Sequence, residues 1–127
     1  MRVLWVEDQI EDNQEVWRKL EAHNTTVAVA SSVAEAFVKL DGESFEQIIL
    51  DLRVPLGDSA TVEHLRDIDY NGVYIVEYLE RKNLLGFVPV CALTNFPTVA
   101  NHYFAGKPVK VLQKATFLQE FEEIIYG

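Results

Sequence analysis

Short apolar runs alternate with longer amphipathic stretches along the whole chain. The runs cover about 2–6, 25–30, 46–51, 87–93 and 109–113, too short for helices and mostly rich in β-branched or aromatic residues. They read as five strands. Between them, apolar residues recur at helical spacing over 10–22 (Ile10, Val16, Trp17, Leu20), 33–41 (Val33, Ala36, Phe37, Leu40) and 73–83 (Val73, Ile75, Val76, Leu79). Pro97 stands before a fourth predicted helix ending near Phe104, and Thr116 is the candidate cap of a fifth that carries Phe117, Leu118, Phe121, Ile124 and Ile125. The order is βαβαβαβαβα. Such alternation predicts an α/β fold with a doubly wound, five-stranded parallel sheet, whose ligands bind at the carboxyl ends of the strands near the topological switch point.

One region interrupts the rhythm. From Val54 to Asn71 the chain is too long for an ordinary strand-to-helix connection, and 59–68 has the pattern of a short helix capped by Ser59. Residues 56–70 therefore read as an insertion, a lid or docking element within a single domain spanning 1–127.

Composition narrows the setting. Half the residues are apolar, enough for a real core, while a net charge of −9 and a pI near 4.7 argue against an electrostatic grip on nucleic acid. Cys91 is the only cysteine, so no internal disulfide forms, and its place in an apolar run suits a reducing cytosol. No segment has the layout of a signal peptide or the length of a membrane span, so the expectation is a soluble, cytoplasmic protein. His23, His64 and His102 lack metal-ligand spacing and read as surface or packing residues; Trp5 and Trp17 read as packing residues.

Two predicted strands end in acid. Asp51 closes the apolar run Ile48-Ile49-Leu50, and Glu7 and Asp8 follow Val3-Leu4-Trp5-Val6 directly. On adjacent parallel strands these three carboxylates converge, and a divalent cation is what makes such crowding tolerable. Taken singly, Glu7 and Asp8 suit the start of a helix, Asp51 a turn, Thr94 a strand or cap, and Lys114 a solvated charge.

Their joint placement, one at each of four strand ends, resembles the signature of two-component response regulator receiver domains. The matching pieces are Val3-Leu4-Trp5-Val6-Glu7-Asp8, Ile48-Ile49-Leu50-Asp51-Leu52-Arg53-Val54-Pro55, Asn71-Gly72, Val90-Cys91-Ala92-Leu93-Thr94 and Val109 to Lys114. The resemblance implies a flavodoxin-like (βα)5 fold with strand order 2-1-3-4-5. It implies Asp51 as phosphoacceptor, and Mg²⁺ held by Asp8, Asp51 and the Arg53 carbonyl with Glu7 on a metal-bound water. Lys114 and Thr94 would bind phosphoryl oxygens. The implied partners are a histidine kinase or phosphotransfer protein as donor and a downstream protein as target. No enzymatic activity is expected beyond the domain's own phosphotransfer and dephosphorylation.

The chain also departs from that pattern. Ala115 replaces the usual proline after the lysine, where a cis peptide bond is expensive, Asn95 replaces a small residue after Thr94, and Val111 replaces an aromatic. Arg53 and Phe96 occupy positions that tune dephosphorylation in the family, Phe96 as an expected obstacle to water. Ala115, Asn95, Val111 and the insertion motivate an alternative, a receiver-like module regulated by binding without phosphorylation. A small phosphohydrolase using Asp51 is a third class, disfavoured because no second acid stands at 53.

Overall fold

A computed structural model describes residues 1–127. Five parallel strands, β1 (Arg2–Val6), β2 (Thr26–Ala30), β3 (Gln47–Asp51), β4 (Val90–Thr94) and β5 (Lys110–Gln113), form one sheet in the order β2-β1-β3-β4-β5. The helices are α1 (Gln14–Ala22), preceded by a 3-10 turn over Ile10–Asn13, α2 (Val33–Gly42), α3 (Val73–Arg81), α4 (Pro97–Tyr103) and α5 (Lys114–Tyr126). This is the doubly wound arrangement expected from the alternation of short and amphipathic segments.

Side-chain parity splits the core. Leu4, Val6, Ile48, Leu50, Val90 and Ala92 point to one face and pack with residues of α2, α3 and α4, including Phe37, Ile75, Leu79 and Ala100. Val3, Trp5, Ile49, Cys91 and Leu93 point to the other, where Val16 and Leu20 of α1 and Phe117, Phe121 and Ile125 of α5 cover them. Both faces of β3 and β4 are buried, which is why those strands read as continuous apolar runs. Trp5 is wholly buried and meets Phe117 edge-on at 6.0 Å. His23 lies at the far end from the strand carboxyl termini, hydrogen-bonded to Glu122 at 3.0 Å and in tilted ring contact with Tyr126.

Two local expectations are corrected. The helix predicted over 59–68 does not form: the segment makes isolated turns, Val62 N–H to the Ser59 carbonyl at 3.2 Å and Leu65 N–H to the Val62 carbonyl at 3.0 Å. Ser59 is engaged with the Thr61 hydroxyl at 2.6 Å rather than with a helix N–H, and burial of Val62 against the core fixes the turns instead. At the other end of the chain α5 begins at Lys114, two residues before Thr116, with Gln113 as its extended cap residue. Every peptide bond is trans, that between Lys114 and Ala115 included.

Gly72 fixes how α3 meets β3. Its N–H donates to the Leu52 carbonyl at 3.0 Å, and a Cβ built on it would lie 2.9 Å from Leu52 Cα and 3.1 Å from the Asp51 carbonyl oxygen. Because the close neighbours are backbone, they cannot rotate away. Gly72→Ala is expected to destabilise the domain by about 1–3 kcal/mol, the usual cost of overpacking, in urea unfolding with an unchanged m-value.

Candidate functional site

Register alone brings the polar residues together. Val6 lies opposite Leu50, so Glu7 leaves β1 level with Asp51 on β3. Asp51 lies opposite Leu93 and Thr94 opposite Gln113, so Thr94 and Lys114 each stand one step further along the same rim. The result is a cleft of about 330 Å³ at the carboxyl edge of the sheet, lined only by polar residues: Glu7, Asp8, Gln9, Asp51, Arg53, Thr94, Asn95 and Lys114.

Lys114 is the cation of this cleft. Its ammonium donates to Asp51 Oδ2 at 2.9 Å and lies 3.0 Å from Glu7 Oε2. The second Asp51 oxygen accepts from the Arg53 backbone N–H at 3.0 Å, and Glu7 Oε1 accepts from the Gln9 N–H at 3.2 Å. Glu7 is only 1 % exposed, and its Oε2 has no aligned hydrogen-bond donor, the Lys114 contact being one of charge rather than of hydrogen-bond geometry. Asp8 is exposed and makes no side-chain bond within the protein. Oxygens of Glu7, Asp8 and Asp51 all lie within 4.8 Å of one another, an all-oxygen donor set of the kind that suits a hard divalent cation.

Thr94, almost wholly buried, accepts from the Phe96 N–H through its hydroxyl oxygen at 3.0 Å. That leaves its O–H proton free to be donated into the cleft. Asn95 lines the cleft, as its position after Thr94 implies, but Phe96 does not: its side chain is 54 % exposed on the outer surface, so the expected obstruction of water by this ring is not built into the site. The Arg53 side chain is exposed at the rim.

Two contributors had little sequence signal. Gln9 caps Glu7 through its backbone, which no side-chain pattern reveals, and its carbonyl in turn accepts from the buried Asn13 amide at 3.4 Å. A larger groove of about 560 Å³ between α2, α3 and the 56–70 segment holds Phe37, Tyr74 and Tyr78. It shares no residue with the carboxylate cleft and brings together no comparable cluster, so the smaller cleft is the chemical site.

Burial first, and the Asp51 charge second, push the Glu7 carboxyl above its usual 4.5, while Lys114 and the Gln9 N–H oppose the shift. The folded protein therefore holds a proton on Glu7 at pH values just above 4.5 that the unfolded chain has released, and loses stability as pH rises through that window. For Lys114 burial is the largest influence and lowers its pKa, but the hydrogen bond and charge of Asp51, joined by the nearby Glu7 carboxylate, outweigh it and raise the ammonium above 10.5. Its contribution is full below that value and is lost as pH climbs beyond it.

Removing the ammonium strands two buried carboxylates. Lys114→Ala is expected to lower stability at neutral pH by about 2 kcal/mol, less than the roughly 3–5 of a fully buried pair because Lys114 keeps some solvent contact. The loss shrinks as pH falls from neutral toward the raised Glu7 titration; urea melts of both proteins across that range read this directly.

No protein-family model matches the chain. No curated protein matches it either. Solved structures do. The chemotaxis response regulator CheY4 of Vibrio cholerae is 22 % identical, with 98 % of each chain covered and a TM-score of 0.68. The receiver domain of the sensor histidine kinase PA1611 of Pseudomonas aeruginosa, solved with magnesium in its active-site cleft, is 20 % identical over 97 % of this chain and 92 % of that one, TM-score 0.67. The response regulator TrrA of Thermotoga maritima, solved in complex with Mg²⁺ and BeF, is 18 % identical over 97 % and 95 %, TM-score 0.67. The fold is thus the flavodoxin-like fold of response regulator receiver domains, with the strand order 2-1-3-4-5 that the sequence resemblance implies.

Proposed function

We propose that this chain is a signalling receiver module that accepts a phosphoryl group on Asp51 with the help of Mg²⁺. The observation that carries the reading is the Asp51–Lys114 bond at 2.9 Å inside a ring of carboxylates, set at the carboxyl rim of a receiver-type sheet. Asp51 stands between two donors, yet each oxygen keeps a lone pair for a further partner.

The donor set fits a hard dication: three carboxylates with one ammonium among them, and a buried Glu7 oxygen that no aligned hydrogen bond satisfies. Asp8, Asp51 and the Arg53 carbonyl would hold the ion, with Glu7 on a metal-bound water. Bound there, Mg²⁺ neutralises charge on a transferring phosphoryl group. The ions in the Pseudomonas and Thermotoga structures support this assignment.

In the transfer, an ionised Asp51 oxygen attacks phosphorus, an O–P bond forms, and the donor's P–O or P–N bond breaks, its electron pair leaving with acetate or with a histidine ring. No proton has to be removed from the nucleophile. Lys114 turns from the carboxylate to a phosphoryl oxygen, and the free Thr94 O–H donates to another. A histidine kinase or phosphotransfer protein is the natural donor, and output passes to a downstream protein; the domain acts on no separate substrate. Asn95 at the cleft wall is what favours the alternative of a binding-only module.

Intact-mass analysis after incubation with Mg²⁺ and acetyl phosphate tests this. A single phosphoryl adduct is expected on the wild type and none on Asp51→Asn; equal labelling of both would sink the assignment, and no labelling of either would leave the binding-only module. Asp8→Ala is expected to weaken Mg²⁺ binding by at least the roughly tenfold that losing even an outer partner of a metal costs, read by calorimetry. In the wild type the same affinity falls as pH approaches the raised Glu7 titration from above, because the proton and the ion compete for one carboxylate.

A further inference from the structure

All side-chain hydrogen bonds of the buried Asn71 go to the two ends of the segment between β3 and α3. Its amide donates to the Val54 carbonyl at 3.1 Å and to Asp67 Oδ1 at 2.7 Å, while its oxygen accepts from the Ile68 N–H at 2.9 Å. The next residue, Gly72, is bonded to the Leu52 carbonyl and packed without slack against the Asp51–Leu52 backbone. The preceding residue, Tyr70, meets Tyr103 of α4 edge-on, with ring centroids 6.0 Å apart and planes at 74°. Three consecutive residues therefore join the backbone leaving Asp51 to the helix that follows Thr94.

We propose that the segment 55–72 is a strap that relays occupancy of Asp51 to α4, and that the Tyr70–Tyr103 contact is its output end. The proposal rests on Asp51 being the phosphoacceptor and names how its state is read. Asp51 Oδ1 is bonded to the Arg53 N–H at 3.0 Å, so a group added to this carboxylate bears directly on the 52–54 backbone. Asn71 and Gly72 hold that backbone tightly, and close-packed contacts pass displacement on rather than absorbing it. The route through β5 is differently equipped: Val111 lies opposite Ala92 and packs against the apolar core, with neither ring nor polar atom to follow Thr94. Of the five aromatic pairs in the molecule, Tyr70–Tyr103 alone joins the segment after β3 to α4. Tyr103 shares the outer side of α4 with Phe96 and Val99, at spacings of three and four residues, and all three are exposed. A shift of Tyr103 therefore alters a surface that another protein can read.

Hydrogen exchange over 97–103, with and without Mg²⁺ and beryllofluoride, tests the relay in the wild type, Tyr70→Ala, Tyr70→Phe and Tyr103→Ala. Acetyl phosphate labelling of the same four proteins runs beside it. Exchange over 97–103 is expected to change on loading the wild type and Tyr70→Phe, and the change to fall at least about threefold in Tyr70→Ala and Tyr103→Ala with labelling intact, since coupling lost between two sites need not touch either one. A full α4 response in Tyr70→Ala overturns the relay. Should Tyr70→Ala melt, Tyr103→Ala decides, its side chain being exposed and outside the core. A wild type that is labelled but unresponsive at α4 removes the relay alone; one that neither labels nor responds removes the phosphoacceptor reading and the relay with it.

Discussion

One ammonium group among three carboxylates is the constraint on which this structure turns. Carboxylate charges within 4.8 Å of one another repel by about 3 kcal/mol per pair in a part-buried setting, and an ion pair near 3 Å attracts by about 5. Lys114 reaches Asp51 and Glu7 but not Asp8, so its two attractions roughly offset the mutual repulsion before the cost of taking Glu7 out of water is counted. The cluster is held together without being satisfied. Glu7 shows the deficit most plainly, with one buried oxygen lacking an aligned donor and a carboxyl that holds its proton above the usual range. A site in that condition favours added positive charge, and a dication supplies more of it than a second lysine would with far less side-chain entropy to lose.

Nothing in the fold beyond strand register is needed to create the crowding. Because the sheet is parallel, every strand ends at the same rim, and a one-residue slip of β3 against β1 would carry Asp51 out of line with Glu7 and turn Ile48 and Leu50 to the opposite face. Burial of both faces forbids that slip. The apolar core on each side of the sheet therefore fixes the spacing of the charges at its edge, and the repulsion among those charges is carried by the core's stability.

This explains why so much was legible in the chain. Glu7, Asp51 and Thr94 directly follow apolar runs and Lys114 follows one after Gln113, so reading the strands amounts to reading the rim: all four are positioned by backbone pairing rather than by long-range side-chain fitting. What escaped the sequence depends on contacts that periodicity does not encode. Phe96 reads as a neighbour of Thr94 but turns outward, because its N–H is held by the Thr94 hydroxyl at the entrance to α4. Gln9 acts through its backbone. Residues 59–68 have helical spacing, yet the energy that decides their shape is the burial of Val62 beside α2 and α3 and the competing Ser59–Thr61 hydroxyl contact.

The inserted segment is better understood from its two ends than from its middle. Its first residues satisfy the start of α2: the carbonyls of Pro55 and Leu56 accept from the Val33 and Ala34 N–H groups at 3.0 and 2.9 Å, beside the Ser32 cap on Glu35. Its far end is tied to α3 by Tyr74, whose hydroxyl donates to the Arg66 carbonyl at 2.6 Å, and its neck is closed by Asn71. The polar groups of the cleft thus stand at the origins of separate elements, Thr94 before α4, Lys114 at the first residue of α5, and Asp51 before the strap. Of these, only Asp51 leads into a segment that is itself bonded to two helices and in ring contact with a third. A change at that carboxylate has more of the molecule attached to it than a change at either of the others, and this asymmetry is why the proposed relay runs through the strap rather than through β5.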